Sequence, residues 1–291
     1  MSCFFLPECI PCYKVLLMLS DNASYMVKAA QNLKIFYSNL IHVTCQAHGL
    51  NLVAEEIRRN FPHVNDLINN VKKVFIKSPV RVPLYKERLG NIPLPPLPVV
   101  TRWGTWLEAA FFYEEHFEEI KSLITELTDS TSAALEECKR LVQLPNLAQN
   151  LAYISLNFKF IVEDIKKLEK QNLTLCESVD LINHVKESLS MVKGNVGISV
   201  RNKFKYVLNK NSGFSILEKV VKVYQGDLVP DLELLPSNIN NFKNAPITSV
   251  DVERSFSIYK YLYTDRKHNI LIKNFEKQII VNCFDCEIAY L

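Results

Sequence analysis

The apolar positions change rhythm along this chain. At the start they come in short solid runs; further on they recur every three or four residues. The stretch 14–20 is short, mostly apolar and followed at once by Asp21 and Asn22, which predicts a buried strand. From 22 to 31, Ala23, Met26, Val27 and Ala30 share one helical face. The stretch 40–45 predicts a second strand, and 47–59 a helix with Leu50, Val53 and Ile57 on its apolar side. This strand–helix–strand–helix order suits parallel pairing, with both strands covered on both faces. A helix over 64–76 follows, carrying Leu67, Ile68, Val71 and Phe75, and Pro79 ends or kinks it.

The stretch 92–98 contains Pro93, Pro95, Pro96 and Pro98, so it reads as a stiff extended connector. Beyond it the pattern is helical. Thr105-x-x-Glu108 has the form of a capping box, with Leu107, Ala110, Phe111 and Phe117 behind it. Helices fit 132–143, 149–170, 175–193 and 202–222, the third preceded by a second cap signal, Thr174-x-x-Glu177. Pro230, Pro236 and Pro246 make 226–246 a loop region. Two last helices fit 250–263 and 269–284. The expected class is α/β with predominantly helical content, divided into 1–104, 105–245 and 246–291.

Composition narrows this only slightly. At 48% hydrophobic and 22% charged residues the chain is globular in type, and a net charge of +3 argues neither for nor against nucleic acid. Seven glycines make Gly-rich phosphate loops improbable on composition, and neither G-x-G-x-x-G nor a Walker A pattern occurs. The apolar run 15–19 is too short to cross a bilayer, and no basic segment precedes a long apolar one, so no membrane partner is expected. Cys9-x-x-Cys12 and Cys283-x-x-Cys286 would supply four thiolates for one Zn²⁺ if the chain ends met. Scattered reduced cysteines are the plainer reading.

Four places carry candidate chemistry. Asp21 follows a strand, where a rigidly held carboxylate can face a crevice and bind Mg²⁺ or Mn²⁺; alternatively it caps the next helix. Cys45-x-x-His48, with His42 upstream, offers soft ligands one helical turn apart, or else a buried thiol and a hydrogen-bonded histidine. Arg102-Trp103 can fork onto phosphate and stack on an unpaired base, or can simply anchor a helix start. Glu253-Arg254 opens a predicted helix, where the carboxylate either completes an acidic site or favours the helix dipole. Basic residues such as Arg58, Arg59, Lys72 and Lys73 are diffuse, and the acidic run 114–119 would repel DNA.

Singly these are weak signals; their order is specific. The segments 20–29, 42–53, 101–103 and 249–257, with Lys260, Asp265, Arg266 and Asn269, resemble successive motifs of the hAT-type DNA transposases. The resemblance implies a partial RNase H-like (DDE) core interrupted by a large all-helical insertion. It makes Asp21 the second and Glu253 the third carboxylate of a centre binding two divalent metals, Mg²⁺ or Mn²⁺. It further implies that Arg102 and Trp103 contact DNA and that Cys45, His48 and Arg254 support the motif. The C-terminal helices would pack against a second copy or a related hAT protein, in the nucleus. The family's first aspartate lies on a strand upstream of the segment seen here. The expectation is therefore an N-terminally truncated, transposase-derived protein without complete DDE catalysis. An active nuclease supplied with upstream sequence, and a decayed transposon product or interaction scaffold, are the alternatives.

Overall fold

The computed structural model describes residues 12–262, apart from 77, 79, 100, 101 and 129–131, together with 274 and 277. A turn of 3₁₀ helix (Cys12–Lys14) leads to β1 (Leu17–Ser20), so the first strand is shorter than its apolar run. Helix α1 (Ser24–Lys34) crosses to β2 (Ile41–Thr44), and the strands pair in parallel with Leu17 opposite Ile41 and Ser20 opposite Thr44. Two outer bonds extend the ladder, Ile41 N–H to the Leu16 carbonyl and Cys45 N–H to the Ser20 carbonyl, 2.9 and 2.8 Å. In β2, Ile41 and Val43 point into the core and His42 and Thr44 sit half-buried on the other face, as a two-residue period requires.

The remaining described elements are helices: α2 (Gln46–Asn60), α3 (Pro62–Val71), α4 (Arg81–Arg88), α5 (Thr105–Glu115), α6 (Phe117–Glu126), α7 (Ala133–Val142) and α8 (Leu147–Leu168), then α9 (Leu175–Met191), α10 (Gly194–Asn209), α11 (Ser212–Tyr224), the single turn α12 (Pro236–Ile239) and α13 (Val250–Leu262). The expectation of an α/β fold with mostly helical content holds. One continuous core runs from Ile41 to Ile247. At its centre α8 buries Leu151, Ile154, Phe158, Ile161 and Ile165 on a single stripe, against which α5 packs. Helix α2 buries Leu50, Val53, Ala54 and Ile57, and Gly49 lets it approach α10 closely: a Cβ there would stand 2.9 Å from Val207 Cγ1.

Several boundaries differ from the sequence expectation, each for a visible reason. The helix over 64–76 is two pieces, α3 and a π turn (Lys72–Ile76). Helix α4 contains Pro83 in its first turn, where a missing N–H leaves no bond unmade. The helical stripe expected to continue from Leu107 through Phe117 is interrupted at His116, between α5 and α6. Thr105 does not cap it. Gly104, at φ 73°, is the cap residue, and the Thr105 hydroxyl instead bonds the Val99 and Arg102 carbonyls. Thr174 and Glu177 do form a reciprocal capping box. The helix expected over 202–222 is broken by Asn211, whose side chain caps α11 through the Phe214 N–H. The helix expected over 269–284 and residues Cys9, Cys283 and Cys286 lie outside the described residues, so the two-ended zinc site does too.

Candidate functional site

Asp21 stands just beyond β1, exposed, and its Oδ1 accepts the Ala23 N–H at 3.3 Å. That closes a turn ahead of α1, whose cap residue is Ala23, so Asp21 is not the helix cap. The residue before it is fixed by two bonds. The Ser20 hydroxyl donates to the Asp21 carbonyl (2.7 Å) and meets His42 Nε2 at 2.8 Å. A hydroxyl has one proton, so Nε2 is the donor to Ser20 and His42 carries its proton there. Burial holds the His42 pKa below its ordinary value, which keeps the ring neutral at pH 7.

Cys45 and His48 lie behind this point rather than in a cleft. Cys45 is buried, and its Sγ accepts the Ser249 N–H at 3.3 Å and faces the backbone amide of His48. Burial, the main cause, pushes the thiol pKa up, with the charge of Glu253 adding to it, so the sulfur remains a thiol. One residue on, the Gln46 N–H donates to the Ile247 carbonyl at 2.9 Å. Cys45 and Gln46 thus clamp residues 247–249 to the end of β2.

That clamp sets the start of α13. Thr248 reaches the Leu168 carbonyl through its hydroxyl (3.4 Å), and Arg254 donates Nη2 to the Glu169 carbonyl (2.8 Å) and Nη1 to Asp251 (3.1 Å). Arg254 therefore satisfies an open carbonyl at the C-terminal end of α8, where a cation is favoured. Glu253 accepts from the Ser249 hydroxyl at 3.4 Å. Its pKa is raised above the usual carboxylate value by burial first, then by the charges of Glu169 and Asp21. Glu169 is likewise raised, chiefly by burial, against the opposing pull of Arg254.

The result is a cleft of about 420 Å³ that gathers Arg102, Trp103, Glu253 and Arg254 with Glu108, Lys166 and Glu169. Arg102 is exposed, Trp103 leans half-buried on the core, and the Asn51 side chain holds the following Gly104 N–H at 3.1 Å. Lys166 pairs with Glu108 at 2.5 Å across the cleft. Three cations and three carboxylates balance. Of the sequence candidates, Arg102, Trp103, Glu253 and Arg254 meet directly, Asp21 stands within electrostatic reach of Glu253, and Cys45 and His48 form the mount behind them. Sequence reading missed Glu108 as a cleft residue, and Lys166 and Glu169 altogether. Lys166 lies in the last turn of α8 and Glu169 is its cap residue, and nothing local distinguishes this from any solvated helix end.

Asp21 and Glu253 have the hard oxygen donors that Mg²⁺ or Mn²⁺ prefers. Among the described residues, however, no group of three or more His, Cys, Asp or Glu side chains is arranged to hold a metal ion. Two carboxylates alone do not make such a coordination shell. No described helix is long and apolar enough to cross a membrane. No curated protein matches the chain. Residues 10–74, which include Asp21, Cys45 and His48, match the family described as a domain of unknown function (DUF659), a domain found in hAT-like, transposase-related proteins.

Proposed function

We propose that this is a transposase-derived protein that holds nucleic acid in the cleft of Arg102, Trp103 and Arg254 and does not, with the carboxylates described, cut it. The carrying observation is the meeting, in one cleft, of residues far apart in sequence: an arginine suited to phosphate, a half-buried indole, and Glu253, whose carboxylate feels the charge of the strand-end Asp21. Arginine forks onto phosphate oxygens and an indole face stacks on an unpaired base whatever its sequence. Two-metal phosphoryl chemistry needs ligands for both ions, and Asp21 with Glu253 falls short of that number. Glu108 and Glu169 line the same cleft, but among the described residues they form no metal-holding group with Glu253, so a further ligand would come from residues outside those described or from another chain.

Fluorescence anisotropy with labelled single- and double-stranded DNA tests this. Arg102→Ala with Trp103→Ala should weaken binding about tenfold or more, and Arg102→Ala alone should lower the salt slope by about one. Unchanged affinity in the double variant removes the reading. The second reading, an active nuclease, draws on the closeness of Asp21 and Glu253. It requires Mn²⁺-dependent nicking by the full chain that disappears in Asp21→Asn.

Self-association belongs to the same proposal. Val252, Phe256 and Tyr259 are 52%, 56% and 40% exposed and recur at i, i+4 and i+7 on α13. An apolar stripe of that spacing suits a second copy of the chain. Light scattering on a sizing column checks it: a monomer at all concentrations, unaltered by Phe256→Asp, contradicts it. A nuclear location goes with this reading and is checked by imaging the tagged full-length protein.

A further inference from the structure

A second cleft, about 620 Å³ and sharing no residue with the first, runs along β2 between α1 and the start of α11. Its charge is of a different kind. In the first cleft Lys166 and Arg254 are paired with Glu108 and Asp251. The second is lined by Lys28, Lys34 and Lys210 and by no carboxylate. None of these three lysines has a carboxylate partner among the described residues. Three lysines around one concavity with no carboxylate beside them favour an entering anion.

The walls suit the same guest. Lys28 and Lys34 rise from α1 on either side of Gln31, about one and two-thirds turns apart. Lys210 Nζ rests over the Tyr206 ring beside the cleft, 4.5 Å from its centroid, and its flexible stem lets it turn from that ring to an entering anion. The first turn of α11 contributes Ser212 and Gly213, at the positive end of a helix of 13 residues. The lining mixes apolar side chains, among them Val27, Ala30 and Ile216, with polar ones such as Asn22, Gln31 and Thr44. A cleft of this size with cations and mixed walls matches a ligand of nucleotide dimensions. Gly213 sits against the His42 carbonyl, which fixes the α11 wall to the strand.

We propose that this cleft binds a phosphate ester, with the phosphate on Lys28, Lys34 and Lys210. The inference is independent of the nucleic-acid reading of the first cleft. A phosphate ester has two sources, a free nucleotide or the backbone of a nucleic-acid strand, and the probes separate them. A fluorescent adenosine triphosphate analogue and a short labelled single-stranded DNA are titrated against the full chain. Each Lys→Ala change should weaken nucleotide binding by about threefold to tenfold and the triple variant should abolish it, whereas DNA should keep the share of binding that Arg102 and Trp103 carry. Lysine-dependent binding of the nucleotide identifies a free-nucleotide site; lysine-dependence seen only with DNA identifies a backbone site. Binding unaltered by the triple variant, or no binding of either probe, overturns the proposal. All three lysines are exposed, so the variants should fold, and Lys→Gln versions, which keep the stem, repeat the measurement. Arg102→Ala with Trp103→Ala runs in parallel: loss there with none from the lysines sinks this inference and leaves the first cleft standing.

Discussion

Asn211 and Thr44 are bonded to each other twice. The Asn211 side-chain oxygen accepts the Thr44 N–H at 3.1 Å, and its amide NH₂ donates to the Thr44 carbonyl at 2.7 Å. A side chain thus stands where the backbone of a neighbouring strand would stand, and the outer edge of β2 ends in a helix cap instead of another strand. The same oxygen accepts the Phe214 N–H at 3.3 Å, opening α11. One buried amide therefore couples the sheet to the last long helix of the core.

Asn211→Ala should remove all three bonds together. The Thr44 groups would lose their partners and α11 its cap, so a loss of about 3 kcal/mol is expected. Urea unfolding followed by circular dichroism measures it. Asn211→Asp keeps the acceptor but sets a buried carboxylate oxygen against the Thr44 carbonyl, so at neutral pH it should cost at least as much as alanine. If alanine is harmless, water or a shifted backbone replaces the amide and the coupling argument fails.

Gly213 is the tightest contact at this joint. A Cβ built on it would lie 1.9 Å from the His42 carbonyl oxygen, a backbone atom that cannot rotate aside. Gly213→Ala must push α11 off β2, with a loss near the top of the overpacking range, about 3 kcal/mol. Because Ser212 and Gly213 also wall the lysine cleft, the displacement should weaken phosphate-ester binding in whatever fraction remains folded. Gly194, at φ 83° with no heavy atom within 4 Å of an added Cβ, provides a contrast, since its substitution strains the backbone without a clash.

High pH should unfold this protein through its buried acids. Burial pushes the Cys138 thiol from 9.0 up to about 12 and the Tyr85 phenol from 10.0 up to about 12, and holds Tyr113 well above 10.0. The Tyr85 hydroxyl also donates to the Pro93 carbonyl at 2.9 Å, a bond that only the protonated form can make. Folded-state values above unfolded ones mean that the native state binds more protons. The stabilisation is therefore full below pH 9 and is lost as pH rises from 9 toward 12. Melting temperatures across that range should fall steadily, and Cys138→Ser or Tyr85→Phe should each flatten the fall. A flat profile in the parent protein contradicts the burial of these groups.

The first strand was legible as a solid apolar run ending in a polar residue, the second as an apolar start with Ile41 and Val43 alternating with His42 and Thr44, and most helices because Leu, Ile and Phe recur on one face. What escaped the sequence are breaks set by distant partners. Asn211 ends a helix pattern that continues through it, and its reason for doing so is Thr44, brought alongside by folding. Asp164 escaped too: it is fully buried in α8 and satisfied by Lys167 at 3.0 Å and His184 at 2.5 Å, the second from another helix. For the site, motif order named Asp21, Arg102, Trp103, Glu253 and Arg254. It gave no hint of Glu169 or of the lysine cleft, whose walls come from three segments with no shared pattern.

The last prediction concerns Glu253, whose carboxylate is disfavoured by partial burial and by the charges of Glu169 and Asp21. Its folded-state pKa lies above the ordinary 4.5, so the native state binds the proton more tightly than the unfolded chain does. Ionised Glu253 therefore works against folding at neutral pH. The penalty is absent below about 4.5 and grows as pH rises through the raised value. Glu253→Gln removes the charge and keeps the shape, so in chelator it should raise the melting temperature at pH 7 and make no difference at pH 4. An alkaline-earth or manganese ion that bridged Glu253 and Asp21 would reverse the order, stabilising the parent chain and leaving the glutamine variant unmoved. The two melts, with chelator and with Mn²⁺, separate a carboxylate pair under simple repulsion from one able to hold a cation when another ligand arrives. If Glu253→Gln destabilises at neutral pH in chelator, the Ser249 bond outweighs the repulsion, and the electrostatic pairing of Asp21 with Glu253 loses its support.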